Sequence, residues 1–135
     1  MAERAPNSQF DEQLLSGFAN RFLGYGTLDS EIWLIAPEPG GCPTIEDVYA
    51  RASVWSERGR RETEDLQSYH DDLKRKLCEL SLPADFDWRR NIQPTWGPLI
   101  RIILPLNWSG PDLNTAHVRK FQANELGRQT DGTAY

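Results

Sequence analysis

Ile32-Trp33-Leu34-Ile35-Ala36-Pro37-Glu38-Pro39-Gly40-Gly41 is an apolar run that breaks on a carboxylate set among prolines and glycines. Residues 31–36, EIWLIA, decide the fold. They are rich in β-branched and aromatic side chains, and four consecutive large apolar residues leave no solvent-facing alternation. The pattern predicts a strand buried on both faces. Such strands belong to parallel sheets covered by helices on each side, so the expected class is a layered α/β fold.

A loop that follows the carboxyl end of a buried parallel strand lies at the rim where α/β folds bind ligands. Pro39, Gly40 and Gly41 let backbone N–H groups approach a planar or anionic ligand, and Thr44 opens a helix with a positive dipole end. Glu38 sits where a general base orients water. Strand, Pro-Gly turn and helix is equally the plain form of a βα connection, so the loop alone leaves both readings open.

Outward from this segment the periodicity is helical. Phe10, Leu14, Leu15, Phe18 and Phe22 predict a helix from Ser8 to about Phe22, with Ser8 and Asp11 at its start and Gly24 and Gly26 ending it. Residues 1–7 are expected to be disordered. Thr44 caps a second helix whose core face is Ile45, Val48, Tyr49, Ala52 and Trp55, closed by Gly59. A third carries Leu66, Tyr69, Leu73, Leu77 and Leu80, until Pro83 forbids continuation. Ala84 to Pro94 reads as a loop. Residues 99–104 are ambiguous: β-branched content favours a strand, while Trp96, Leu99, Ile100 and Ile103 share a helical face that Thr95 would cap. A last helix, Thr115 to Leu126, buries Val118, Phe121 and Leu126 and stops at Gly127, and residues 132–135 approach a further strand. A lone buried strand cannot satisfy its backbone hydrogen bonds. The chain therefore pairs with another copy, belongs to a longer domain, or uses 99–104 as a strand.

The totals set limits. With 135 residues, 39% hydrophobic and 26% charged, the chain is expected to be one globular domain. No apolar segment approaches the roughly 18 to 20 residues of a membrane span, which gives a cytoplasmic expectation with no membrane partner. Cys42 and Cys78 stand far apart without CxxC spacing, so cysteine alone builds no zinc or iron–sulfur site. Net charge −5 works against non-specific attraction to phosphate backbones. Arg58, Arg60 and Arg61, then Lys74, Arg75 and Lys76, then Arg89 and Arg90 form basic clusters that read as solvated helix faces. His70 and His117 read as surface residues. Asp85, Asp87 and Glu79 have no fixed separation, Trp88 and Trp96 read as packing anchors, and no GxxxxGK[ST], HExxH or GxSxG pattern occurs.

GYGTLDSEIWLIAPEPGG, residues 24–41, resembles the first strand and following loop of the uracil-DNA glycosylase superfamily, particularly its glycosylase-like bacterial members. There a Gly-Tyr-Gly approach precedes a hydrophobic strand and a Glu-Glu-Gly-Gly type loop. Glu38, Gly40 and Gly41 match, and Pro39 stands in place of the second glutamate. ERGRRETEDLQSYH, QPTWGPLIRIIL and VRKFQANELGRQTDG are similar to later blocks of the same group, so the likeness covers most of residues 24–132 and reads 99–104 as a helix.

The resemblance implies a three-layer α/β/α glycosylase-like fold around a largely parallel sheet, helix-rich and incomplete in this portion. It implies DNA as partner, no cofactor, and hydrolysis of a base–sugar bond after the nucleotide is extruded. Glu38 takes the water-positioning role, with Pro39, Gly40 and Gly41 forming the base-binding loop. Neither His70 nor His117 is followed by proline, so the late His-Pro-Ser type loop that stabilises the departing base is missing. The expectation is the first half of such a domain, without turnover by itself. A second expectation is a non-catalytic module that self-associates through its incomplete sheet.

Overall fold

The computed structural model describes residues 10–35, 44–84, 89, 91–129, 133 and 134. The chain is helix-rich with two small parallel strand pairs. In order the elements are α1 (Glu12–Arg21), β1 (Gly24–Tyr25), β2 (Ile32–Trp33), α2 (Ile45–Glu57), β3 (Thr63–Glu64), α3 (Leu66–Glu79), α4 (Trp96–Ile103), a 3-10 turn (Leu104–Asn107), α5 (Thr115–Asn124) and β4 (Thr133–Ala134).

Local chemistry explains the helix starts. Asp11, Thr44, Asp65 and Asn114 each stand in extended backbone and accept an amide hydrogen bond from the third residue onward, satisfying a donor that the helix leaves free. Residues 96–103 are a helix. Pro98 is tolerated in its first turn, where a missing N–H costs nothing, and Thr95 lies in helical backbone with no capping bond, unlike the expected cap. The third helix ends at Glu79, before Pro83; Ser81 takes φ of 55° just beyond it.

The strands depart from expectation. Gly24 and Gly26 do not simply end the first helix, which already stops at Arg21. With φ of 137° and 106° they flank Tyr25 in β1, which pairs in parallel with β3. Leu23 N donates to Glu62 O and Gly26 N to Glu64 O, extending that ladder. Of the expected strand 31–36, the described residues 31–35 are not buried on both faces. Ile32–Trp33 forms β2, Trp33 is 36% exposed and Ile35 88% exposed, while Leu34 packs on the core. Among the described residues β2 has one neighbouring strand, β4. The pairing problem is solved within the chain, since β2 pairs in parallel with β4, whose place in residues 132–135 the sequence reading anticipated.

The core lies between α1, α2 and α3 and continues to α4 and α5. Trp55, Leu66, Tyr69, Leu73, Ile100 and Leu126 are fully buried. Phe22 stacks on Tyr69 with centroids 5.7 Å apart, and Phe18 meets Trp55 edge-on at 5.6 Å. Buried polar tips are matched: Trp55 Nε1 donates to Arg61 O at 2.6 Å and Tyr69 Oη to Arg51 O at 2.9 Å. Ile45 and Leu80, both expected on core faces, are about half exposed because each stands at a helix end beyond the packed turns.

Gly127 is a close-approach point. Its φ of 63° and a Cβ position 2.9 Å from both Leu66 Cβ and Tyr25 Cβ leave room only for glycine. Its carbonyl accepts from Leu66 N at 2.9 Å, locking the end of α5 to the start of α3. Beyond it, Asp65 Oδ2 accepts from Arg128 Nε at 2.9 Å and Gln129 N at 3.2 Å, so the chain is held on its way to β4. Partial burial works against the Asp65 charge, yet the Ser68 and Gln129 amides and the Arg128 guanidinium hold its carboxyl below the usual range.

Candidate functional site

Glu38, Pro39, Gly40 and Gly41, the expected catalytic and base-binding residues, lie outside the described residues, as do Cys42, Asp85, Asp87, Trp88 and Arg90. The flanks of the loop are described. β2 and β4 run in the same direction, so their carboxyl ends share one rim, and residues 36–43 connect that rim to α2. At the far flank Thr44 Oγ1 accepts from Asp47 N at 3.3 Å and donates to Asp47 Oδ2 at 3.0 Å. That bond, with Asp47 buried, fixes where α2 begins.

A cleft away from that loop was not legible beforehand. Between α4 and α5 lies a cleft of about 290 Å³ lined by Arg101, Leu104, Leu113, Asn114, Thr115 and Val118. Arg101 and Leu104 line it from the α4 side, and the first turn of α5 lines it from the other. The sequence signal was the spacing Asn114-Thr115-Ala116-His117: Asn114 Oδ1 accepts from His117 N at 3.1 Å, and His117 Nδ1 accepts from Asn114 N at 3.1 Å. This is a reciprocal capping box with histidine where glutamate or glutamine is customary.

One or more members of each basic cluster are ion-paired, while Arg60 bonds the Ser56 hydroxyl instead. Arg58, at the end of α2, donates to Glu64 Oε2 from Nε at 3.0 Å and from Nη2 at 2.8 Å, and to Asp72 Oδ2 at 2.6 Å. Glu64 is fully buried on β3, and its Oε1 has no hydrogen-bond partner among the described residues. Bonding to Glu64 raises the Arg58 guanidinium above its ordinary value against the opposing effect of burial. Arg75 bonds Asp72 at 2.9 Å, Lys76 bonds Glu57, and Arg89 bonds Asp71 at 2.9 Å. Arg58, Arg75, Lys76 and Arg89 thus face the protein's own carboxylates. Glu79 likewise faces Arg75, and Trp96 is a buried anchor, as expected.

His70 is not a surface residue. It is 8% exposed, packed against Tyr25 with centroids 5.2 Å apart, and its Nδ1 is 2.8 Å from Leu66 O. A carbonyl only accepts, so Nδ1 carries the proton. Burial pushes its pKa down to about 4, against the smaller upward effect of the Leu66 bond. Asp71 and Asp72, the next two residues, turn to solvent and arginine while His70 turns inward. Gln122 is buried too. Its Oε1 accepts from Gln93 N and its Nε2 donates to Asn91 O, both at 2.9 Å, tying the 91–93 segment to α5.

No group of three or more His, Cys, Asp or Glu side chains among the described residues is placed to hold a metal ion. No helix among them is long and apolar enough to cross a membrane. No family model, curated protein or solved structure matches the chain.

Proposed function

We propose that the chain is a glycosylase-like DNA-binding unit of base-excision type, built on a three-layer α/β/α plan. In this reading the Glu38–Gly41 loop receives an extruded base at the rim of a parallel sheet. The observation that supports it is the parallel β2–β4 pair, which sets two strand carboxyl ends side by side where residues 36–43 depart. Ligands of α/β sheets bind at that rim, and in this reading Glu38, which follows β2 in the sequence, orients water. Without a His-Pro-Ser type loop to stabilise the departing base, the chain binds but does not turn over. The test pairs alkaline strand scission with anisotropy on uracil-containing and matched thymine-containing oligonucleotides. Expected are no scission, tighter binding of the uracil strand, and loss of that preference in Glu38→Gln; equal or absent binding of both strands would end the proposal.

A second reading is favoured by a separate observation. Trp33 and Ile35 expose apolar surface beside a sheet that has two strands among the described residues, the kind of edge that invites self-association. Sedimentation equilibrium over a hundredfold concentration range distinguishes it. Reversible dimerisation that Ile35→Lys abolishes supports the reading, and a monomer throughout removes it.

A further inference from the structure

The first turn of α5 carries a titratable group in a place that the proposed base-binding loop does not involve. Asn114 N donates to His117 Nδ1 at 3.1 Å, and the His117 ring packs on Trp108 with centroids 4.6 Å apart. Trp108 Nε1 in turn donates to Pro111 O at 2.5 Å. Gly110 passes so close beneath the indole that a Cβ there would lie 2.9 Å from it. Trp108 and Asn114, the two ends of residues 108–114, thus both meet one imidazole, and Leu113, Asn114 and Thr115 line the α4–α5 cleft.

An imidazole nitrogen accepts a hydrogen bond only while it carries no proton. Adding a proton at Nδ1 sets one N–H donor against another and puts a positive charge in the first turn of a helix, where the dipole opposes it. Asp112 lies in the same loop, Arg119 and Lys120 follow on α5, and Arg101 lines the cleft from α4. None of these forms a hydrogen bond or ion pair with the His117 ring, whose polar partner is the Asn114 amide.

We propose that His117 is a proton-operated latch on the cleft. With Nδ1 bare it holds the 108–114 loop against α5; with Nδ1 protonated it releases that wall. Histidine is the side chain whose charge ordinarily changes between pH 5 and 8, so the device works where glutamine in the same position would be inert.

The test is amide hydrogen exchange, read by NMR at Asn114 and referenced at each pH to the unstructured rate. Wild-type protection at Asn114 is expected to fall at least tenfold between pH 8 and pH 5. In His117→Gln, whose amide oxygen keeps the capping box without titrating, protection stays flat; in His117→Ala it is low at every pH. The Leu73 amide, deep in α3, reports global opening. A flat wild-type profile, an equal fall in His117→Gln, or a matching loss at Leu73 overturns the latch.

Discussion

Acidification acts on the fold through His70, and the size of the effect follows from its surroundings. The ring is held neutral at a pKa of about 4 because burial among Tyr25, Tyr69 and the start of α3 denies its cation water. In the unfolded chain the same group titrates near 6.5. Above pH 6.5 both states are neutral and His70 contributes no pH dependence. Below it the unfolded chain binds a proton that the native state refuses, so stability is lost as pH falls from about 6.5 toward 4. The loss comes to about 1.4 kcal/mol at pH 5.5 and about 2.6 kcal/mol at pH 4.5. The assay is urea unfolding of wild type and His70→Phe at pH 7.5, 6.5, 5.5 and 4.5. Phenylalanine fills the ring space without titrating, and the carboxylates, Asp65 and Asp72 included, contribute alike to both proteins. The wild type should therefore lose stability faster by those amounts. Parallel curves would refute the reasoning, since they would mean that the native state accepts the proton at no extra cost.

Arg58→Ala strands the fully buried Glu64 carboxylate and should cost about 3 to 5 kcal/mol in chemical denaturation; Arg58→Met with Glu64→Leu should recover most of it. Gly127→Ala meets both a positive φ and two Cβ atoms at 2.9 Å, so a loss on the order of 2 kcal/mol and a lower Tm are expected in calorimetry.

Helices were legible because caps and apolar spacing are local. Asp11 and Thr44 cap as read, Phe18, Trp55, Leu73 and Val118 stand where periodicity put them, and residues 99–103 are helical with Ile100 and Ile103 buried in a helix that packs on α5. Strands were less legible, since pairing is non-local. Four large apolar residues at 32–35 signal burial, yet burial depends on what covers them, and Ile35 is left open. Gly24-Tyr25 and Thr63-Glu64 carry no strand pattern of their own and pair because α1, α2 and α3 bring them side by side. The inward turn of His70 and the capping role of His117 depend on which helical face is packed and on a partner three residues away, and charge-rich neighbours hide both. The candidate loop was readable only as Glu-Pro-Gly-Gly after an apolar run, which specifies where a ligand fits and not which ligand.

The central claim is that the rim formed by the carboxyl ends of β2 and β4 takes a nucleic-acid base. NMR titration of the isotopically labelled chain with a short uracil-containing single strand measures this directly. The account predicts saturable shifts concentrated at the amides of residues 34–44 and 133–134, absent with the matched thymine strand. Shifts centred elsewhere, or none at a saturating strand concentration, would contradict it.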